Sequence, residues 1–274
     1  MLATLAMTIL IQTQTPACPA CAGMVAFAAD PNFLAAHDLP APLAFTPVQG
    51  HAVTWDLPKG APGQGFYVPG KPRNRAALVL IHEFWGLNDY VKREAERYHD
   101  RLGCAVLAVD LYDGKVATTR EDAVKNMQAV DSERGKATVA AAVSALKAGK
   151  FGKAAARIGT IGWCFGGGWS FQTAVQGGSN VDACVMYYGM PDLAPEAIAK
   201  LHAPVLMVHP TRDKWITAKV VEDFEHAMTG AHKHLQVLHY DADHAFANPS
   251  SASYNGKAAQ DAFKHTVAFF KSHL

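Results

Sequence analysis

The sequence predicts an α/β fold: a mostly parallel, eight-stranded sheet with helices on both faces. Two observations carry that expectation. Short, continuous apolar runs of strand length, such as Ala76 to His82 (AALVLIH) and Cys104 to Leu111, suit strands buried on both faces. These runs alternate with helical patterns, and strand–helix alternation builds parallel sheets through crossover connections. A third observation, the Gly-rich stretch Ile158 to Gly168 (IGTIGWCFGGG), places a sharp strand-to-helix turn in the middle of the series.

The elements follow in order. His51 to Leu57 and Gly65 to Pro69 alternate around the turn-forming KGAPG and read as a hairpin. Ala76 to His82 is the next strand. Asn88 to Leu102 opens on an Asn/Asp cap, carries mixed charge at helical spacing and stops at Gly103. After the strand Cys104 to Leu111, Arg120 to Lys147 is polar and Ala-rich with helical periodicity, enough for one or two helices. Arg157 to Trp163 feeds the turn and Gly167 to Gln176 is its helix. Ala183 to Gly189, Pro204 to His209 and Leu235 to Tyr240 are strands, with helices over Thr217 to Met228 and Lys257 to Ser272. No linker divides the chain after residue 50, so residues 51–274 read as one domain.

The N-terminal part is different in kind. Leu2 to Ile11 is apolar, too short to span a bilayer but long enough for a signal core, and Ala26-Phe27-Ala28 offers a cleavage context. Residues 1–29 are therefore expected to be a leader and the protein to be exported, periplasmic or secreted, with a cytoplasmic protein as the alternative because no Lys or Arg precedes the apolar run. Cys18 and Cys21 form a CPAC pair within it. Residues 30–50, rich in Pro and Ala, are expected to wrap the surface.

Composition excludes several classes. Half of the 274 residues are hydrophobic and 18% are charged, which supplies a sizeable core. A formal net charge of +1 without basic runs gives no footprint for nucleic acid or an anionic membrane. The 13 histidines are scattered, without a metal-ligand spacing, so neither a metal nor another cofactor is expected. Cys104 and Cys184 sit on apolar strands and read as small buried hydrophobes. The expected partner is a small molecule, and the expected state a monomer or weak dimer.

The chemistry is read from the strand ends, since sites in open α/β sheets form there. Glu83, Phe84 and Trp85 follow Ala76–Ile81. Asp110, Tyr112 and Lys115 follow Cys104–Val109. Cys164 follows the turn strand, Asp213 and Trp215 follow Pro204–Val208, and His244 and Phe246 follow Leu235–Tyr240. The order Cys164, Asp213, His244 is the nucleophile–acid–base order of α/β-hydrolases, with Cys164 at the small-x-nucleophile-x-small elbow. A thiol there lies beside the Phe165 N–H and a helix N-terminus, both of which favour a thiolate and a developing oxyanion. His244 can take the thiol proton, and Asp213 can fix the imidazole tautomer. Trp85, Tyr112, Lys115, Trp163, Trp215 and Phe246 are candidates for lining the substrate pocket.

From about Gly65 to Leu274 the chain resembles the dienelactone hydrolase family of cysteine α/β-hydrolases. The stretches that carry the resemblance are HEFWGLNDYVKREAERY, AVDLYDGK, IGWCFGGG, YYGMP and DADHAF. The resemblance implies lactone or ester hydrolysis through a Cys164–His244–Asp213 triad and a thioester acyl-enzyme. It also implies a role for Glu83, as a carboxylate that contacts the resting thiol and helps it ionise, and for the Phe84 and Phe165 N–H groups as the oxyanion hole. The chain departs from the family where substrate carboxylate is held by arginines. After His244 come Ala245, Phe246, Ala247 and Asn248, and the LY loop continues as Asp113, Gly114 and Lys115. A bidentate guanidinium is not replaced by an amide or a mobile ammonium. The rival reading is a non-catalytic hydrolase fold that binds or senses a ligand.

Overall fold

The computed structural model describes residues 23–274; the leader-like apolar run and the Cys18–Cys21 pair lie outside the described residues. Eight strands form one sheet in the order β1-β2-β4-β3-β5-β6-β7-β8. β1 (His51–Trp55) and β2 (Gly63–Val68) are the expected hairpin, antiparallel to each other, and β2 is also antiparallel to β4. From β4 onward every pairing is parallel: β3 (Ala76–Ile81), β4 (Ala105–Asp110), β5 (Arg157–Trp163), β6 (Ala183–Tyr187), β7 (Val205–Pro210) and β8 (Leu235–Tyr240). The central strands are apolar throughout because helices cover both faces, so neither face can be polar. The chain leaves β3 in one direction to β4 and returns on its other side to β5, a switch point that opens a crevice at the carboxyl ends of β3 and β5.

From Pro31 onward eight α-helices are described, besides 3-10 turns at Ala26–Ala29 and Gly178–Asn180. The first is a short one, α1 (Pro31–Ala35), before the sheet begins. α2 (Asp89–Leu102) is capped by the Asn88 side chain, which accepts from the Val91 N–H, and ends at Gly103 in the left-handed region (φ 70°). The polar stretch after β4 splits into α3 (Arg120–Gln128) and α4 (Ser132–Ala148) because Asp131 caps a new start, accepting from the Arg134 N–H. α5 (Phe165–Gly177), α7 (Ala218–Gly230) and α8 (Gly256–His273) fall where helical spacing predicts them. A further short helix, α6 (Pro195–Lys200), lies beyond the loop after β6, where only a loop was expected; Pro at its first position starts it.

The stretch before β1 does more than skirt the surface. Met24, Ala28 and Phe33 are buried, so the boundary drawn at residue 29 falls inside a packed segment. Its later part is held by Glu96 of α2, whose Oε1 accepts from the N–H groups of Val48, Gln49 and Gly50 at 3.0, 2.8 and 3.0 Å.

Candidate active site

The turn after β5 is an elbow forced by close approach. Cys164 has φ 53° and ψ −118°, a region L-residues rarely occupy and which costs of order 1–3 kcal/mol. Its N–H donates to the Tyr187 carbonyl at 3.0 Å, and its carbonyl accepts from Gly167 at 3.0 Å as α5 begins. A Cβ on Gly162 would come 2.0 Å from the Gly166 carbonyl oxygen, so strand and helix can meet only with glycine there. The consequence is a sulfur at the carboxyl end of β5, with the Phe165 N–H directed at it.

Around that sulfur the strand ends deliver the expected side chains. His244 Nδ1 lies 2.7 Å from Asp213 Oδ2, both buried. Asp213 is itself fixed, its Oδ1 accepting from the Trp215 and Ile216 N–H groups at 2.9 and 3.0 Å. The neighbouring Arg212 pairs with Asp241 and Asp243 and leaves Asp213 to the histidine. His244 Nε2 is buried and has no hydrogen-bond partner among the described residues. It faces the Cys164 sulfur, with both atoms inside one cluster whose members lie within 4.8 Å of one another. Burial pushes the His244 pKa down, but the Asp213 carboxylate and the Cys164 sulfur outweigh it and raise it to about 10. Burial raises the Cys164 thiol, against the pull of His244 and the Phe165 N–H. A closed site of this kind holds a neutral thiol at rest rather than the thiolate the elbow alone would favour.

The third member of that cluster is a residue sequence reasoning missed. His37, just past α1, places Nε2 3.6 Å from the Cys164 sulfur. Its Nδ1 lies 2.7 Å from the Phe33 carbonyl, which can only accept, so Nδ1 carries the proton and Nε2 presents a lone pair. Burial and the His244 charge lower the His37 pKa to about 3, leaving the ring neutral. Phe33, 0% exposed, packs on Phe84, Trp215, His37 and His244 with ring centroids 4.3–6.2 Å away. The segment is tied down at its ends: Trp215 Nε1 donates to Asp30, Arg120 Nε to the His37 carbonyl, and Ala252 N–H to Asp38. Cys164 is consequently 0% exposed. Tyr188 was also missed; it has φ 37°, sets its ring edge-on to His244 at 5.0 Å, and its buried hydroxyl has no partner among the described residues.

Glu83 is held by Asn248, whose Nδ2 donates to Oε2 at 3.2 Å, while the thiol lies 3.6 Å from His37 Nε2 and feels both His244 and the Glu83 carboxylate. Burial raises the Glu83 pKa to about 7, against the Asn248 hydrogen bond and the His244 charge. His82 fixes the turn beneath it. Nε2 accepts from the Leu111 N–H at 3.1 Å and Nδ1 donates to the Glu83 carbonyl at 2.8 Å, stitching the β3 and β4 ends together.

The six pocket candidates do not share one cavity. Trp85 and Trp163 line a small cavity of about 40 Å³ with Glu83, Asn88 and Asn248. Tyr112 and the exposed Lys115 border a separate one with Asp110 and Arg134. Trp215 packs on Phe33 and His244, and Phe246 on Tyr188 and Tyr240. The Phe84 ring packs on Phe33, His37 and Trp85.

Comparison with known proteins matches residues 65–274 to the dienelactone hydrolase family model. The carboxymethylenebutenolidase of Pseudomonas putida is 29% identical over 217 residues, spanning 73% of this chain and 88% of that protein. Protein usf of Aquifex pyrophilus is 29% identical over 205 residues, spanning 72% and 88%. Among solved structures, a dienelactone hydrolase-like promiscuous phosphotriesterase from metagenomic libraries superposes with TM-score 0.69 at 25% identity, covering 82% of this chain and 99% of that one. Dienelactone hydrolase from Anabaena variabilis shares the fold, with TM-score 0.60 at 21% identity, covering 82% and 98%.

Proposed function

The chain belongs to the dienelactone hydrolase family, and on that premise we propose that it hydrolyses a carboxylic ester or lactone with Cys164 as nucleophile, His244 as base and acid, and Asp213 as the group that orients His244. The observation that carries this reading is the meeting of a strained, helix-capping thiol with a buried imidazole whose other nitrogen is bonded to a buried carboxylate at 2.7 Å.

Once its own Nε2 proton has passed to solvent, His244 takes the thiol proton; the basicity imposed by Asp213 lets it compete with a thiol whose own ionisation burial disfavours. The sulfur adds to the substrate carbonyl, and the oxyanion is held by the Phe165 N–H together with that of Phe84. Collapse breaks the C–O bond, and the imidazolium returns its proton to the leaving alkoxide or enolate, leaving a thioester. A water deprotonated by His244 then attacks that thioester, releasing the acid and restoring the thiol. Glu83, poised near neutrality beside this centre, is proposed to assist ionisation once His37 has moved and substrate has entered.

Cys164→Ala is expected to abolish hydrolysis of an activated aryl ester such as p-nitrophenyl acetate while the thermal unfolding midpoint stays near that of the parent. Turnover retained in that variant would remove the mechanism. One observation favours the rival reading of a non-catalytic binding protein: the nucleophile is sealed from solvent. Binding without turnover across a panel of lactones and short-chain esters would decide for it.

A further inference from the structure

We propose that His37, Cys164 and His244 form a binding site for a thiophilic divalent cation of the zinc type, a site that exists only while the N-terminal segment lies over the nucleophile. The residue types are the first ground. Two imidazoles and a thiolate are a borderline-soft N₂S donor set of the kind Zn²⁺ selects, and three protein ligands leave one of four tetrahedral positions open. A serine at the elbow would not supply it.

Geometry is the second ground. All three donor atoms lie within 4.8 Å of one another. The sulfur and His37 Nε2 are 3.6 Å apart. A tetrahedral ion with Zn–S near 2.3 Å and Zn–N near 2.0–2.1 Å sets its sulfur and nitrogen ligands about 3.6 Å apart, so this edge of the tetrahedron is already in place.

The outer partners are the third ground. Each imidazole uses Nδ1 elsewhere, His37 on the Phe33 carbonyl at 2.7 Å and His244 on Asp213 at 2.7 Å. Zinc-binding histidines show that arrangement, with the remote N–H given to a carbonyl or carboxylate so that the other nitrogen faces the ion. Here both Nε2 atoms turn inward. That of His244 is buried, faces the Cys164 sulfur and meets no other polar atom among the described residues, so it is free to turn its lone pair to an ion. Charge also balances, since a thiolate and the Asp213 carboxylate together offset a divalent ion in a buried setting. On binding, the Cys164 S–H bond and the Nε2–H bond of the His244 imidazolium both break, the two protons leave to solvent, and sulfur and both nitrogens donate lone pairs to the cation; no electrons are transferred.

His37 is the new element. Without it the pair Cys164–His244 is an ordinary nucleophile and base; with it, the segment that covers the thiol becomes a chelating arm. A bound cation would therefore clasp the segment shut over the nucleophile. That inhibitory consequence rests on the hydrolase reading above, whereas cation binding does not.

The test uses the full chain with Cys18 and Cys21 both replaced by Ser, so that the CPAC pair gives no signal of its own, stripped of metal and titrated with Co²⁺. One equivalent is expected to give a thiolate-to-cobalt charge-transfer band in the near ultraviolet and tetrahedral ligand-field bands in the visible, both erased by equimolar Zn²⁺. Cys164→Ala should lose the charge-transfer band. His37→Ala should weaken Co²⁺ binding by more than the roughly 10–100-fold typical of losing an outer partner. The expected Zn²⁺-induced rise in the thermal midpoint of the parent should vanish in His37→Ala, a readout that stands even where a variant is less stable. No charge-transfer band at millimolar Co²⁺, or equal affinity in the parent and His37→Ala, would overturn the site. Aryl-ester turnover persisting in Cys164→Ala, with the cobalt band gone, would sink the hydrolase mechanism and leave the cation site standing.

Discussion

Phe33 is the side chain through which access to the nucleophile can be measured. It is 0% exposed and fills the space between Phe84, Trp215, His37 and His244, while the rest of its helix, α1, is short and half-exposed. Replacing a buried Phe by Ala costs about 3–5 kcal/mol. Because Phe33 belongs to a segment outside the sheet, that cost falls on docking of the segment rather than on the eight strands. At the lower end, about 3 kcal/mol, the equilibrium between docked and undocked segment shifts roughly 100-fold. Alkylation by iodoacetamide reads this, provided opening and closing are fast relative to reaction. In Phe33→Ala the second-order rate at Cys164, followed by peptide mass mapping, is expected to rise by about that factor. Cys104 and Cys184 are internal controls: both are buried, Cys104 just before β4 and Cys184 in β6, and burial raises their thiols to about 12 and about 11 respectively. They should remain unlabelled. An unchanged rate at Cys164 would refute the reasoning that the segment gates the thiol. So would a rise at Cys164 matched by Cys104 and Cys184, which would mean global unfolding instead.

Glu83→Gln should change how stability depends on pH. The Glu83 carboxyl titrates near 7 in the folded protein against 4.5 in the unfolded chain, because burial disfavours its charge. The folded state thus holds the proton more tightly, and stability from this group is full below pH 4.5 and lost as pH rises through 7. The shift is worth at most about 3 kcal/mol, reduced by the residual solvent access of a half-buried side chain. Urea unfolding should give equal stabilities for parent and variant at pH 4.5 and a more stable variant at pH 8.5; a pH-independent difference would show a carboxylate ionised throughout. Asp213→Asn keeps acceptors for the Trp215 and Ile216 N–H groups but removes the charge that raises His244. Its kcat is expected to fall about 10³–10⁴-fold, as when other triads lose this charge, and a fall under tenfold would leave Asp213 structural. Glu96→Ala strands three N–H groups at Val48, Gln49 and Gly50, so amide exchange at those positions should accelerate sharply, and unchanged protection would show that the pairing of β1 holds that stretch unaided.

The sheet and the elbow were legible because their causes are local. Two-faced burial writes itself into runs such as AALVLIH, and the approach of Gly162 to the Gly166 carbonyl demands glycine at that spacing. The union of Cys164, Asp213 and His244 was legible through topology, since parallel strands deliver their carboxyl ends to one rim whatever the separation along the chain. The covering segment was not. The contact between His37 and Cys164 spans 127 residues, and α1 is too short to show amphipathic periodicity. A trace was present in Asp30-Pro31, a cap followed by Pro at the first helical position, with Phe33 and His37 then sharing a helix face. Nothing in that trace says which surface the face meets. The aromatic pocket candidates do not gather around one cavity for a related reason: residue type marks Trp85, Tyr112, Trp163, Trp215 and Phe246 as buried, but direction decides which cavity each borders, and strand-end loops turn in different directions.

Ionisation of the nucleophile and movement of the segment are bound together. Burial under Phe33 and His37 raises the Cys164 thiol, and undocking returns it to water, where a cysteine beside a helix N-terminus and a cationic histidine ionises readily. A group with a lower pKa in the open state must favour that state as pH rises, by up to tenfold per pH unit between the two pKa values. The closed form is therefore selected wherever the thiol is neutral, and an ester that reaches the rim need not displace the segment against its full docking energy, because forming the thiolate contributes part of it. Glu83 gains its proposed role in the same step: once His37 leaves the sulfur, a carboxyl poised near neutrality is beside a thiol that has lost its hydrogen-bond acceptor. After correction for thiolate content, the alkylation rate of Cys164 should still climb with pH in the parent and flatten in Phe33→Ala, where the segment is already released. Parallel pH profiles in the two proteins would uncouple ionisation from opening and confine the segment to packing alone.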